Sequence, residues 1–198
     1  MTRTPSNPRL YVAIGLIWLM VAVAIAASGQ LAGLRPPVPQ LVLLGLTVAL
    51  IASGSMVPGF RVWLAGLNLR QIVALHVLRF VGIYFLVLYG RGQLPFAFAV
   101  PGGWGDIAIA TGAVILVLFV PDLAGHRAWL LGWNALGLAD IIYVVATASR
   151  LAMADPSSMQ ALLRLPLSLL PTFLVPVIVA SHVLLFVRLR REPEGTPA

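Results

Sequence analysis

LRQIVALHVLRFVGIYFLVLY, residues 69–89, decides the fold of this chain. At about 1.5 Å per helical residue it is long enough to cross a hydrocarbon core of roughly 30 Å, and nearly every side chain in it is apolar. Four are strongly polar: Arg70 at its edge, and Gln71, His76 and Arg79 inside. An arginine inside a spanning helix is costly, so it faces a partner, water or a ligand and not lipid. The stretch therefore reads as a membrane helix with something polar beside it.

The rest of the chain agrees with that reading. Of its 198 residues, 60% are hydrophobic and 10% charged, and mean hydropathy is +0.99. Soluble domains are about a quarter charged. The net charge of +7 is carried by arginine, since the chain has no lysine. Arginines gathered at the ends of apolar runs point to membrane orientation and headgroup contact, not to nucleic acid. The absence of cysteine excludes disulfides, thiolate nucleophiles and cysteine metal sites.

Outward from residues 69–89, apolar runs occupy about 10–27, 40–57, 104–120, 128–149 and 167–187. The prediction is an all-α integral membrane bundle of six transmembrane helices in a single domain, residues 1–198. Arg3 and Arg9 ahead of the first run imitate a signal peptide, but its apolar core exceeds the roughly 7–15 residues of such a segment, so it reads as a retained span. GQLPFAFAVPGGWGD, residues 92–106, is apolar but rich in proline and glycine. By the rules for helix breakers it is an interfacial or re-entrant loop ahead of a fourth span starting at Trp104. Asp155 and Pro156 open a short amphipathic interfacial helix, with Met159, Leu162 and Leu163 on one face and Gln160 and Arg164 on the other. Pro171 and Pro176 bend or loosen the sixth span.

An even number of spans puts both termini on one side. That side collects Arg3, Arg9, Arg61, Arg70, Arg127, Arg188, Arg190 and Arg191, against Arg35, Arg91, Arg150 and Arg164 on the other. The positive-inside rule then expects cytoplasmic termini in a bacterial cytoplasmic (inner) membrane. HVLRFV (76–81) and HVLLFV (182–187) match at five of six positions. The first begins near the start of its helix and the second near the end of its own, so they are not equivalent positions of an inverted repeat.

Two constellations carry the candidate chemistry. His76 and His182 each lie six residues inside a boundary arginine, Arg70 and Arg188, hence at equal depth, roughly 9 Å below the boundary. Two such histidines on different helices suit bis-histidine haem b ligation, or hydrogen bonding across helices. Arg79 and Asp140 come at roughly 14 and 20 Å, a demanding reach that an arginine can span. With Asn134, Trp133 and Gly137 on the same helix as Asp140, they form either a buried polar pocket for an ion, proton or small polar solute, or an ion pair that only fixes helix register. Asp106 beside Trp104 lines an outer mouth or, more simply, caps the fourth helix. No phosphate-binding loop, metal spacing or activated nucleophile occurs. No catalytic residue, resident metal or cofactor is expected unless haem is bound.

Arg79, Gly82, Phe85, Leu86, Leu94, Pro95, Phe98, Ala99, Pro101, Gly103, Gly105 and Asp106 form a pattern that resembles small uncharacterised bacterial polytopic membrane proteins. WNALGLAD (133–140) and PTFLVP (171–176) with His182 are similar to that group too. The resemblance covers roughly the C-terminal two thirds of the chain. It implies a shared bundle architecture and no established activity. Three functional classes follow: binding or movement of a small polar solute, ion or proton, haem b electron transfer, or a structural membrane subunit.

Overall fold

The computed structural model describes residues 7–191, with side chains through residue 190. Arg3, the side chain of Arg191 and the terminal tails, all used in the arginine count, lie outside the described residues. Helices account for the architecture, with no strand among the described residues. Six helical segments are long and apolar enough to cross a membrane: Pro8–Ala27, Val38–Met56, Leu69–Gly90, Phe96–Phe119, Arg127–Ala154 and Leu170–Arg190.

The first span is α1 (Pro8–Ala27), begun by Asn7, whose side chain accepts from the Leu10 amide at 3.3 Å, with proline in the first turn. The second is α2 (Val38–Met56), followed by a nine-residue helix α3 (Pro58–Gly66). A cap made by Asn68 and Gln71 in both directions starts the third span. That span is not one uniform helix. It runs as α4 (Leu69–Ala74), a tighter 3-10 stretch over Leu75–Phe80, then α5 (Val81–Gly90).

The fourth span departs from expectation. It is a single helix, α6 (Phe96–Phe119), with Pro101 inside it, and only residues 91–95 remain as the connection from α5. The sequence rules that read PGGWG as a breaker hold in water. In a bilayer nothing else can satisfy the backbone, so glycine and proline stay in the helix and neighbours adjust. The fifth span is α7 (Arg127–Ala154). Beyond it Asp155 does cap a short helix, although of 3-10 form, Pro156–Leu163, with Met159 buried and Gln160 and Arg164 exposed. Hydrogen bonds from the Ser157 hydroxyl and amide hold the Asp155 carboxyl below its usual range. The sixth span opens with a widened π turn over Leu170–Leu174, at Pro171, and continues as α8 (Val175–Arg191).

Spans three to six form the inner bundle. Arg70 sits where expected, its guanidinium donating to the carbonyls of Val117, Val120 and Pro121 at the C-terminal end of α6. Arg188 donates to the Leu67 carbonyl just ahead of α4. Both arginines thus tie off one end of the bundle by meeting orphan helix-end carbonyls. Below them, Ile72, Val73, Ala113, Leu116, Leu130, Leu185 and Leu189 pack as an apolar layer. At the other end Phe85, Leu88, Phe98, Ala99, Val144 and Met159 form a second. The polar residues lie between the two layers.

Candidate functional site

Arg79 comes from the last turn of the 3-10 stretch and is 2% exposed. Its side chain is fully engaged by the two neighbouring spans. Nε–H donates to Asp106 Oδ1 on α6 at 2.7 Å, Nη1–H donates to the Gly137 carbonyl on α7 at 2.9 Å, and Nη2–H donates to Asp140 Oδ2 on α7. Asp106 is buried, and the Asp140 side chain is 18% exposed. One guanidinium therefore binds two carboxylates from two helices. The planar fork of arginine supplies three donors in fixed directions, which a lysine could not.

This close convergence depends on glycine. A methyl group on Gly105 would fall on the Asp140 carboxylate, and one on Gly82 would lie 2.8 Å from the Asp106 Cβ. Gly103 packs against the backbone of Gly82, where an added carbon would come within 2.9 Å of its carbonyl oxygen. The glycines taken for breakers thus let α5, α6 and α7 approach until a buried arginine reaches both acids, as small residues do between membrane helices.

A second polar group adjoins the first through Gly137. A carbon added there would meet His182 Cε1 at 2.6 Å, so the ring lies against the residue whose carbonyl Arg79 binds. His182 Nδ1 is 2.7 Å from Asn134 Oδ1, and Asn134 Nδ2–H donates to the His182 carbonyl at 3.1 Å. An amide oxygen only accepts, so His182 carries its proton on Nδ1. His76 Nε2 is 3.1 Å from Ser181 Oγ, whose own hydroxyl donates to the Ile178 carbonyl at 2.7 Å. Ser181 has no second proton to give, so His76 is the donor and carries its proton on Nε2. The two imidazoles touch, with ring centroids 4.3 Å apart, and the Trp133 ring stands edge-on to His76 at 4.9 Å. The Trp133 indole donates to the Ile109 carbonyl at 3.1 Å over the gap that Gly112 leaves.

The structure thus brings together Arg79, Asp140, Asn134, His76 and His182. It also moves Asp106. That residue neither caps α6 nor lines an outer mouth, because it lies inside the helix and binds Arg79. Trp104 parts from it and is 61% exposed on the opposite side of the helix. Ser181 was overlooked, and Gly105 and Gly137 were noted without their part in the close approach of the helices. Ser181 precedes His182, and Gly105 and Gly137 sit one and three residues before the acids, so spacing on a helix face was the available signal. A cavity of about 330 Å3, lined by Tyr84, Gln93, Ser157, Gln160 and Arg164 among others, lies by the α5–α6 turn, and none of the buried acids or histidines lines it.

Haem does not fit this histidine pair. Axial imidazoles approach iron from opposite faces of a macrocycle. These rings are in mutual contact, each anchored by its other nitrogen, and leave no layer between them for a porphyrin.

Among known proteins, a family model described as Domain of unknown function (DUF8737) matches residues 36–190. The match begins just ahead of α2 and includes every residue of the polar core. No curated protein matches, and no solved structure matches.

Proposed function

The chain belongs to the DUF8737 family, and from that premise we propose that it is a membrane protein that binds or moves a proton or small monovalent cation at the Arg79–Asp106–Asp140 cluster. One observation carries the reading: a single guanidinium faces two carboxylates in the interior of the bundle. Arginine keeps its charge. With both acids ionised the cluster is one positive charge short, and in a low-dielectric interior that deficit is expensive. A proton on either acid, or a small cation beside them, removes it. A larger polar solute is less favoured, because the Arg79 side chain itself fills the space between α6 and α7.

The reading is tested by reconstituting the protein in vesicles that enclose a pH-sensitive dye and by measuring thermal stability in detergent with lithium, sodium or potassium. Protein-dependent proton movement, or stabilisation by one of those cations, is expected for the native chain, and D106N with D140N should abolish it. Proton flux equal to that of empty vesicles, with no cation effect on stability, would overturn the proposal. The cluster would then be a strut, the second reading that the same geometry supports. In that case the triple variant Arg79→Leu, Asp106→Leu, Asp140→Leu should be stable and biologically silent.

We place the protein in a bacterial cytoplasmic membrane with both termini inside, on the strength of the arginine distribution and the even number of spans. Reporter fusions after Arg35, Arg91 and Arg150 should read periplasmic, and those after Gly66, His126 and Arg191 cytoplasmic. A cytoplasmic signal at Arg150 would reverse the fifth span and sink this orientation.

A further inference from the structure

The cavity of about 330 Å3 by the α5–α6 turn falls at the small end of the roughly 300–1,000 Å3 typical of small-molecule sites. Two of its walls are Leu88 and Leu167, buried members of the apolar layer at this end of the bundle, so it is a separate site from the Arg79 cluster. Tyr84, Gln93, Gln160 and Arg164 also line it, and each side chain carries a hydrogen-bond donor. Among the described residues none of these four side chains has a hydrogen-bond or ion-pair partner in the protein. No carboxylate lines the cavity. The winding of the short helix Pro156–Leu163 sets this polar wall. Residues three apart eclipse in a 3-10 helix, so Ser157 and Gln160 both line the cavity while Met159 is buried in the apolar layer. Arg164 follows at the C-terminal end of that helix. Asp155 caps its other end and accepts from the Ser157 amide and hydroxyl; the eight residues between Asp155 and Arg164 span about 16 Å at 2.0 Å each. Tyr84 lies six residues inside the end of the third span at Gly90, roughly 9 Å. The cavity thus runs from the headgroup level to the first apolar level of the bilayer.

We propose that this cavity binds a phosphate ester, with the phosphate against Arg164 and the organic part against Tyr84, Leu88 and Leu167. The unpaired guanidinium selects an anion, because no acid in the lining neutralises it. Its planar fork matches two phosphate oxygens, and the amides of Gln93 and Gln160 are donors for the others. Those amides come from two different elements, the α5–α6 turn and the short helix, so donors approach from two sides, as a tetrahedral oxyanion requires and a planar carboxylate does not. The leucine walls give the ester a surface that a bare, hydrated ion would not use. A neutral polar solute would leave the charge of Arg164 unanswered. The same chemistry is offered by a phospholipid headgroup entering from the bilayer and by a water-soluble phosphate monoester entering from the aqueous side.

The test measures binding to the whole chain in detergent by native mass spectrometry and by thermal unfolding. The probes are phosphatidylglycerol, a diacylglycerol with the same acyl chains, and glycerol 3-phosphate. One retained phosphatidylglycerol, or saturable stabilisation by glycerol 3-phosphate, is expected, and which of the two occurs tells the lipid source from the soluble one. Diacylglycerol lacks the phosphate and should do neither. Arg164→Gln should weaken binding about tenfold or more, the effect of losing a charge-assisted contact. Arg164 is exposed, so the unliganded variant should unfold at the native temperature. Gln160→Leu should weaken binding by a smaller factor. Arg150→Gln is the control: it lies at the same end of the bundle, outside the cavity lining, and should bind as the native chain does. Unchanged binding in Arg164→Gln, or equal loss in the Arg150 and Arg164 variants, would overturn the site and leave only a general attraction of basic side chains for anions. Diacylglycerol binding as tightly as phosphatidylglycerol, or no binding of either phosphate probe, would overturn it as well. The proton or cation reading of the Arg79 cluster stands or falls separately.

Discussion

Spans one and two differ sharply from spans three to six. Among the inner four, between 33 and 39% of each apolar stretch is buried within the chain, against 11% for the first span and 6% for the second. The outer pair offers lipid the faces of Leu16, Ile17, Met20, Leu41 and Leu44. Helix α2 runs along α8, with Leu43 against the cluster of Ile141, Val175 and Ile178, whereas α1 holds on at a few points. The Trp18 indole donates to the Thr172 carbonyl at 3.0 Å while its ring packs edge-on to Phe173, and Tyr11 packs on Phe60 and Trp63. Lipid is as apolar as leucine, so burying an apolar face gains little there. What distinguishes the inner bundle is polar atoms that lipid cannot satisfy and glycines that let helices close around them.

The contrast is broken most severely at Arg79. Arg79→Leu should cost about 3–5 kcal/mol, because it strands two carboxylates in the bundle interior, and thermal unfolding in detergent would show it. Replacing Arg79, Asp106 and Asp140 together with leucine should recover much of that loss, as apolar replacement of a buried ion cluster commonly does. A triple variant as unstable as the single one would mean that the inner bundle is held by something other than this cluster. A smaller effect is expected at the cradle. Gly105→Ala should cost about 1–3 kcal/mol by overpacking, since its methyl displaces the Asp140 carboxylate. The same change at Gly15 on α1, where an added carbon meets nothing, should not destabilise. Equal destabilisation at the two sites would erase the distinction between inner and outer helices.

Weaker still is the attachment of the first span. Trp18→Phe keeps a ring against Phe173 and deletes the donor to Thr172, so about 1 kcal/mol is expected. Leu16→Ala, on the lipid face, should fall within about 0.5 kcal/mol. If Leu16→Ala were the more damaging of the two, α1 would be packed against something on its outer face, and a second copy of the chain, seen by cross-linking through that helix, would be the first thing to seek.

The membrane class, the number of spans and the shared depth of the two histidines were legible because they depend on quantities that run along the chain: hydropathy, length and residue counts from boundary arginines. The meeting of Arg79 with Asp140 was legible too, from the cost of an unpaired arginine. Asp106 was not. PGGWG reads as a break by rules learned in water, where a freed backbone group finds solvent, whereas in a bilayer those glycines serve close packing. Depth also says nothing of direction around a helix axis. Equal depth was compatible with histidines flanking a haem or touching, and only the placement of α8 against Gly137 decides. The winding of LHVLRF could not be read at all, since its residues suit an α-helix as well.

That winding has a mechanical side. A 3-10 turn advances 120° and about 2.0 Å per residue where an α turn advances 100° and about 1.5 Å. Over the six residues Leu75–Phe80, rewinding to α form is a rotation of roughly a third of a turn and a shortening of roughly 3 Å. Gly82 and Phe85 would swing off the face they share with α6 relative to Ile72 and Val73, and the grip of Arg79 on its two acids would open. The third span is thus a shaft with a threaded section at its centre, and the charge cluster is the pin that sets its angle.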